Sequence, residues 1–142
     1  MDSKICIDAS VALKLVLSEP DSEIAEAQWQ HWLSDRVEVL APFLFVYETS
    51  SVLRNRVFRS ELTPNEANEA AGVIADLNIT YLHPPGITQS AWELAGRFYR
   101  PTAYDSFYLA LALHQGCPFW TGDKRIYNAV KNAFDWIHLL GA

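Results

Sequence analysis

Lys4-Ile5-Cys6-Ile7-Asp8-Ala9-Ser10-Val11-Ala12-Leu13-Lys14-Leu15-Val16-Leu17 is the segment that sets the architecture of this chain. Its first four residues make a short run rich in isoleucine, the pattern of a strand covered on both faces. Ser10 is placed to cap a helix running through Val11 to Leu17. That helix stops ahead of Glu19-Pro20, because the residue before a proline avoids helical geometry. A buried strand feeding directly into a helix is half of a βαβ unit and predicts a parallel sheet.

The same alternation continues downstream. A second helix is expected over residues 21–33, with Trp29 and Trp32 packing rather than binding, followed by a strand over 37–40 and a helix over 43–58. Thr63-Pro64-Asn65-Glu66 is a capping box with proline at the first helical position, which starts a helix to about Leu77. Residues 79–82 read as a strand closed by Pro84-Pro85-Gly86. Helices follow over 88–99 and 104–115, the latter nearly all apolar, then a strand over 118–121, a short helix over 124–130 and a last strand over 136–140. With no repeat or linker, residues 1–142 are expected to form one α/β domain around a central parallel sheet.

Composition narrows the function classes. Half of the 142 residues are hydrophobic and 13% aromatic, so the chain can bury a core and is not disordered. Seventeen acidic residues against 11 Lys and Arg give a net charge of -6. That argues against a general nucleic-acid coat protein, which carries a basic face, but leaves open an enzyme that meets nucleic acid through metal ions. No apolar stretch reaches the roughly 18 residues of a membrane span, and Met1-Asp2-Ser3-Lys4 leads into only a short apolar run. A soluble, unexported, cytoplasmic protein is the expectation. Cys6 and Cys117 form neither a C-x-x-C motif nor a disulfide framework and read as buried thiols.

The informative residues are acids placed where charge is normally rejected. Asp8 follows the first strand, and Asp123 follows Phe119-Trp120-Thr121-Gly122 in the equivalent place. In open α/β sheets that edge is where ligands bind. Glu48 shares a helical face with Leu44 and Val52, and Asp105 opens the apolar helix with Tyr108 and Leu109 on its face, so both helices are expected to point an acid inward. A buried carboxylate needs a hydrogen-bond network, a basic partner or a metal. A divalent cation satisfies all four acids at once, and oxygen-only ligands select Mg²⁺ or Mn²⁺ over Zn²⁺. His31, His83, His114 and His138 lack metal-ligand spacing. With the four acids set aside, 13 remain against 11 basic residues, so the rest of the surface is close to neutral. Each acid also has an ordinary alternative: Asp105 as complement to a helix dipole, Asp123 as a cap, Asp8 as a turn residue, Glu48 paired with Arg54 or Lys14.

Ile7-Asp8-Ala9-Ser10, Glu48 with Val52-Leu53-Arg54 behind it, Tyr104-Asp105-Ser106-Phe107-Tyr108-Leu109-Ala110 and Thr121-Gly122-Asp123-Lys124-Arg125 together resemble the PIN domain family. Within it they resemble the VapC-like ribonuclease toxins of prokaryotic toxin-antitoxin pairs. The similarity runs over almost the whole chain. It implies a three-layer α/β/α fold and a Mg²⁺- or Mn²⁺-dependent endoribonuclease with Asp8, Glu48, Asp105 and Asp123 as metal-binding acids. Ser10 and Thr121 match small hydroxyl positions that support the site, and Gly122 stands where related sequences often have Ala. The resemblance further implies a homodimer and a small cognate antitoxin.

The expected chemistry is hydrolysis of an RNA phosphodiester, with Asp123 or Glu48 orienting the attacking water and Arg54, Lys124 and Arg125 offered to phosphate. A catalytically silent PIN-like module that binds RNA or protein is the alternative. Four mutually repelling carboxylates give such a module no advantage. A phosphoacceptor domain fits less well, since it calls for paired acids after the first strand, where Asp8 stands alone.

Overall fold

β1 (Lys4–Ile7) forms where the apolar run lies, and its Ile5, Cys6 and Ile7 are buried. In this computed structural model, which describes residues 3–142, the chain turns at Asp8 directly into α1 (Ala9–Val16). Asp8, not Ser10, is the cap: its carboxylate accepts the Ser10 N–H, and Ser10 already lies inside the helix. An aspartate directly after the strand reaches the unpaired amides of the first turn. The Ser10 hydroxyl is thereby left for another task. Met1 and Asp2, on which the expectation of an unexported start partly rests, lie outside the described residues.

The remaining elements are α2 (Ser22–Ser34), β2 (Glu38–Ala41), α3 (Leu44–Phe58), α4 (Pro64–Ala75), β3 (Thr80–Tyr81), α5 (Ile87–Arg97), α6 (Tyr104–Gln115), β4 (Phe119–Thr121), α7 (Lys124–Val130) and β5 (Ile137–Leu139). The capping box at α4 is present in both directions, Thr63 to the Glu66 amide and Glu66 to the Thr63 amide. Gly116 ends α6 in the left-handed conformation, with φ at +61°. The strand expected over 79–82 shortens to Thr80–Tyr81 because it is an edge, paired on one side only with β2.

All strand pairs are parallel, in the order β3-β2-β1-β4-β5. Right-handed crossovers place α1 to α4 on one face as the chain moves from β1 toward β3. The return across the sheet to β4 and β5 places α5 to α7 on the other. Packing agrees: α1 contacts α2, α3 and α4, while α5 lies along α6. The result is three α/β/α layers. Phe45, Tyr108 and Phe119 are fully buried in the core, and Trp29 and Trp32 pack edge to face there as expected. Strand order reverses between β1 and β4, which opens a crevice at their carboxyl ends. Asp8 and Asp123 follow those two strands directly or nearly so.

Candidate active site

Asp8 is only 7% exposed, yet no Lys or Arg is paired with it among the described residues. Its oxygens are held by neutral donors. The Ser10 N–H and Ser10 hydroxyl donate to Oδ1, and the Thr121 hydroxyl of β4 donates to Oδ2. Both hydroxyls then accept a backbone N–H in turn, Ser10 Oγ from Gly122 at 2.7 Å and Thr121 Oγ1 from Asp123 at 3.0 Å. Two loops that are far apart in sequence are thus locked onto one carboxylate. Burial is the main cause that pushes Asp8 up to about 7, opposed by the Ser10 and Thr121 hydrogen bonds and reinforced by the charges of Asp123 and Asp105.

Gly122 makes a close approach here to the flexible end of Lys14. A Cβ at this position meets Lys14 Cε at 2.5 Å and Ser10 Oγ at 3.2 Å. The departure from Ala read in the sequence therefore has a local partner, the Lys14 stem, whose ammonium is held by Glu19 at 3.1 Å and Asp21 at 3.7 Å. Neither Lys14 nor Arg54 pairs with Glu48 among the described residues.

Glu48 is half-buried on α3, and its Oε1 accepts the hydroxyl proton of Tyr108 from α6. Burial raises the Glu48 carboxyl, the Tyr108 hydrogen bond lowers it, and Asp105 raises it again. Tyr108 was legible only as an apolar residue on the Asp105 face; its ring is stacked with Phe119 and its hydroxyl is the polar handle that reaches Glu48. Burial, and then the charge of Glu48, drives the Tyr108 phenol upward, which keeps it a donor.

The other two acids lie nearer the surface. Asp105 is 41% exposed at the start of α6, and Arg100 Nη2 stands 3.2 Å from its Oδ2. The expected inward pointing is corrected in that respect: at a helix N-terminus the first turn is open to water, and an arginine from the preceding connector neutralises the acid. Asp123 caps α7 by accepting the Arg125 N–H at 2.8 Å, with Arg125 Nε at 3.5 Å. Capping does not exhaust these acids, since Asp123 Oδ2, Asp105 Oδ1 and Glu48 Oε2 have no hydrogen bond among the described residues.

The four acids share one electrostatic neighbourhood, as the influence of Asp105 and Asp123 on Asp8 and of Asp105 on Glu48 requires. They do not form a closed cage: among the described residues no three His, Cys, Asp or Glu side chains stand together as metal ligands. Lys124 and Arg125 are exposed at the start of α7 beside Asp123. Arg54 is not brought to this edge. It lines the groove between α3 and α4 with Leu53, Val57, Pro64 and Ala67, about 120° around α3 from Glu48.

The histidines are occupied elsewhere: His31 pairs with Asp35, His83 stacks on Phe43, His114 bonds Ser90, and His138 stacks on Trp120. Cys6 and Cys117 are buried free thiols. No helix among the described residues is long and apolar enough to cross a membrane.

The PIN domain family model matches residues 5–132. The chain belongs to the PIN domain family. Ribonuclease VapC1 from two strains of Mycobacterium tuberculosis is 32% identical to it over 87 residues, which cover 61% of this chain and 63% of the relative. The chain thus spans less than two thirds of the length of those curated relatives. PIN architecture is evident in solved structures too. VapC20 of Mycobacterium tuberculosis, a sarcin-ricin loop cleaving toxin, superposes with a TM-score of 0.67 at 19% identity, over 92% of this chain and 95% of that one. VapBC2 of Rickettsia felis, bound to a DNA fragment from its promoter, gives 0.67 at 11% identity over 95% and 96%. FitAcB of Neisseria gonorrhoeae gives 0.57 at 16% over 95% and 96%. These likenesses establish the fold.

Proposed function

We propose that this PIN domain is a divalent-metal-dependent endoribonuclease acting in the cytoplasm as the toxin of a VapBC-type toxin-antitoxin pair. The observation that carries this reading is Asp8, a buried carboxylate with neutral donors on both oxygens and no cationic partner. The donor chemistry fits Mg²⁺ or Mn²⁺: all four candidates are carboxylates, and three retain an oxygen without a hydrogen bond. Asp8, Glu48, Asp105 and Asp123 are the residues that would hold the ion. Such an ion, when bound, supplies Lewis-acid charge to a phosphodiester and lowers the pKa of water.

The chain's own residues do the positioning. Ser10 and Thr121 fix the rotamer of Asp8 and tie the β1 and β4 ends together. Tyr108 aims Glu48, leaving Oε2 of that acid to orient the attacking water. Lys124 and Arg125, exposed at the same edge, are offered to substrate phosphate. In-line attack with departure of the 3′ oxygen leaves a 5′ phosphate on the product. A cognate antitoxin is carried over from structural neighbours of the VapBC and FitAB kind, and homodimerisation from the resemblance to VapC-like toxins.

The decisive experiment is cleavage of labelled RNA by purified protein in Mg²⁺, Mn²⁺ or EDTA. Cleavage is expected in both metals, none in EDTA, and a loss of roughly 10³-fold in Asp8→Asn. An Asp8→Asn protein that cuts as fast as its parent overturns the assignment.

A further inference from the structure

The connector between α5 and α6 sets basic residues and exposed aromatic rings beside Asp105. The connector, residues 98–103, holds Arg100, and the last turn of α5 adds Arg97, with no acid between Glu93 and Asp105 in a chain of net charge -6. Tyr99 is 96% exposed and Tyr104 60%, although a tyrosine ring ordinarily buries most of its surface. Tyr99 also holds φ at +51°, a backbone conformation that favours glycine. It occupies the position just past the α5 cap, where its N–H bonds Gly96 and the Arg100 N–H bonds Ala95, a hydrogen-bond pattern that glycine usually completes. A bulky aromatic side chain is therefore held in water at a position where a smaller residue fits better.

The connector is joined to the acids. Arg100 reaches forward to Asp105, and its Nε is buried with no hydrogen-bond partner among the described residues. Tyr104 directly precedes Asp105 on α6. Aromatic faces that accept any base, interleaved with arginines that accept phosphate, are the chemistry by which proteins grip single-stranded nucleic acid. We propose that the α5–α6 connector is the substrate-gripping element of this site: Tyr99 and Tyr104 stack bases of a single-stranded RNA segment, and Arg100 exchanges Asp105 for a backbone phosphate. This rests on the nuclease reading and specifies what that site holds. It assigns to Arg100 the phosphate contact that the position of Arg54 does not support.

The test measures anisotropy of fluorescein-labelled 2′-O-methyl dodecauridylate bound to full-length Asp8→Asn protein in Mg²⁺, with Tyr99→Gly, Tyr99→Phe or Arg100→Gln added. Tyr99→Gly keeps the α5 cap, since glycine suits that backbone, so an unchanged melting temperature separates recognition from folding. Affinity is expected to fall between about fivefold and a hundredfold in Tyr99→Gly and to recover in Tyr99→Phe. Arg100→Gln is expected to reduce the slope of log affinity against log salt by about 0.7, the single-strand value for one phosphate, and, made alone with Asp8 intact, to leave Mn²⁺ binding measured by calorimetry unchanged. If the parent cleaves RNA and both Tyr99→Gly and Arg100→Gln bind the oligonucleotide as Asp8→Asn alone does, the proposal falls and the nuclease reading stands. If Tyr99→Gly instead dissociates an oligomer in sedimentation with oligonucleotide affinity unchanged, the surface belongs to a second copy and the proposal also falls. A parent that neither cleaves RNA nor yields an Asp8→Asn protein that binds the oligonucleotide overturns both.

Discussion

Asp8 and Asp123 stand at the same place on neighbouring central strands, and each caps the helix that follows. Their surroundings nevertheless differ. Asp8 is enclosed by two hydroxyls and an amide and has no cation. Asp123 keeps one oxygen free and has Arg125 beside it in open solvent. One acid is held through both oxygens and electrically uncompensated; the other is held through one oxygen and compensated. On the proposed reading, the cation that Asp8 lacks comes from outside the chain, and the hydroxyl shell holds the carboxylate in place to meet it.

The largest expected effect of this contrast is on stability against pH. Asp8 titrates near 7 when folded against 3.8 for an ordinary carboxyl. Its contribution is therefore fully present below pH 3.8 and is lost as pH rises through 7, amounting to about 4 kcal/mol in the metal-free protein. Asp8→Asn is expected to flatten that decline in denaturant titrations at pH 4 and pH 8, and equal slopes in both proteins contradict the buried, unpaired state. Thr121→Val removes one donor from Asp8 and the acceptor of the Asp123 N–H. It is expected to cost about 2 kcal/mol and to weaken Mn²⁺ binding by roughly 10- to 100-fold, read by chemical denaturation and calorimetry. Tyr108→Phe takes from Glu48 its hydroxyl partner and is expected to cost about 1 kcal/mol, with a Mn²⁺ affinity lower by about tenfold. Arg125→Ala is expected to change stability by less than about 0.5 kcal/mol, because the Asp123 pair is solvated. A larger loss there removes the distinction between the two acids.

Much of the fold was legible because local signals and tertiary burial agree. The run Lys4 to Ile7, the helix Tyr104–Gln115 ended by Gly116, and the helix Lys124–Val130 capped by Asp123 have the bounds their residues announce. The edge strand shrank because period-two patterning says nothing about how many neighbours a strand will have. Ser10 was misassigned as a cap because serine and aspartate compete for the same amides, and the one nearer the strand end won. In the site, the acids stand out in sequence as charges among apolar neighbours. Their partners do not. Tyr108 looks like core, and Arg100 lies in an irregular connector, so only the packing of α3 on one side and the turn after α5 on the other reveals what each holds.

The Asp8 shell has a consequence in time. Its two hydroxyls lie at very different distances along the chain, Ser10 two residues away and Thr121 113 residues away. Closing so long a loop is a late event in folding, and during synthesis the N-terminal part emerges well before its distant partner. A growing polypeptide on the ribosome therefore carries Asp8 long before it carries Thr121, and the assembled centre becomes available only once translation has passed Thr121.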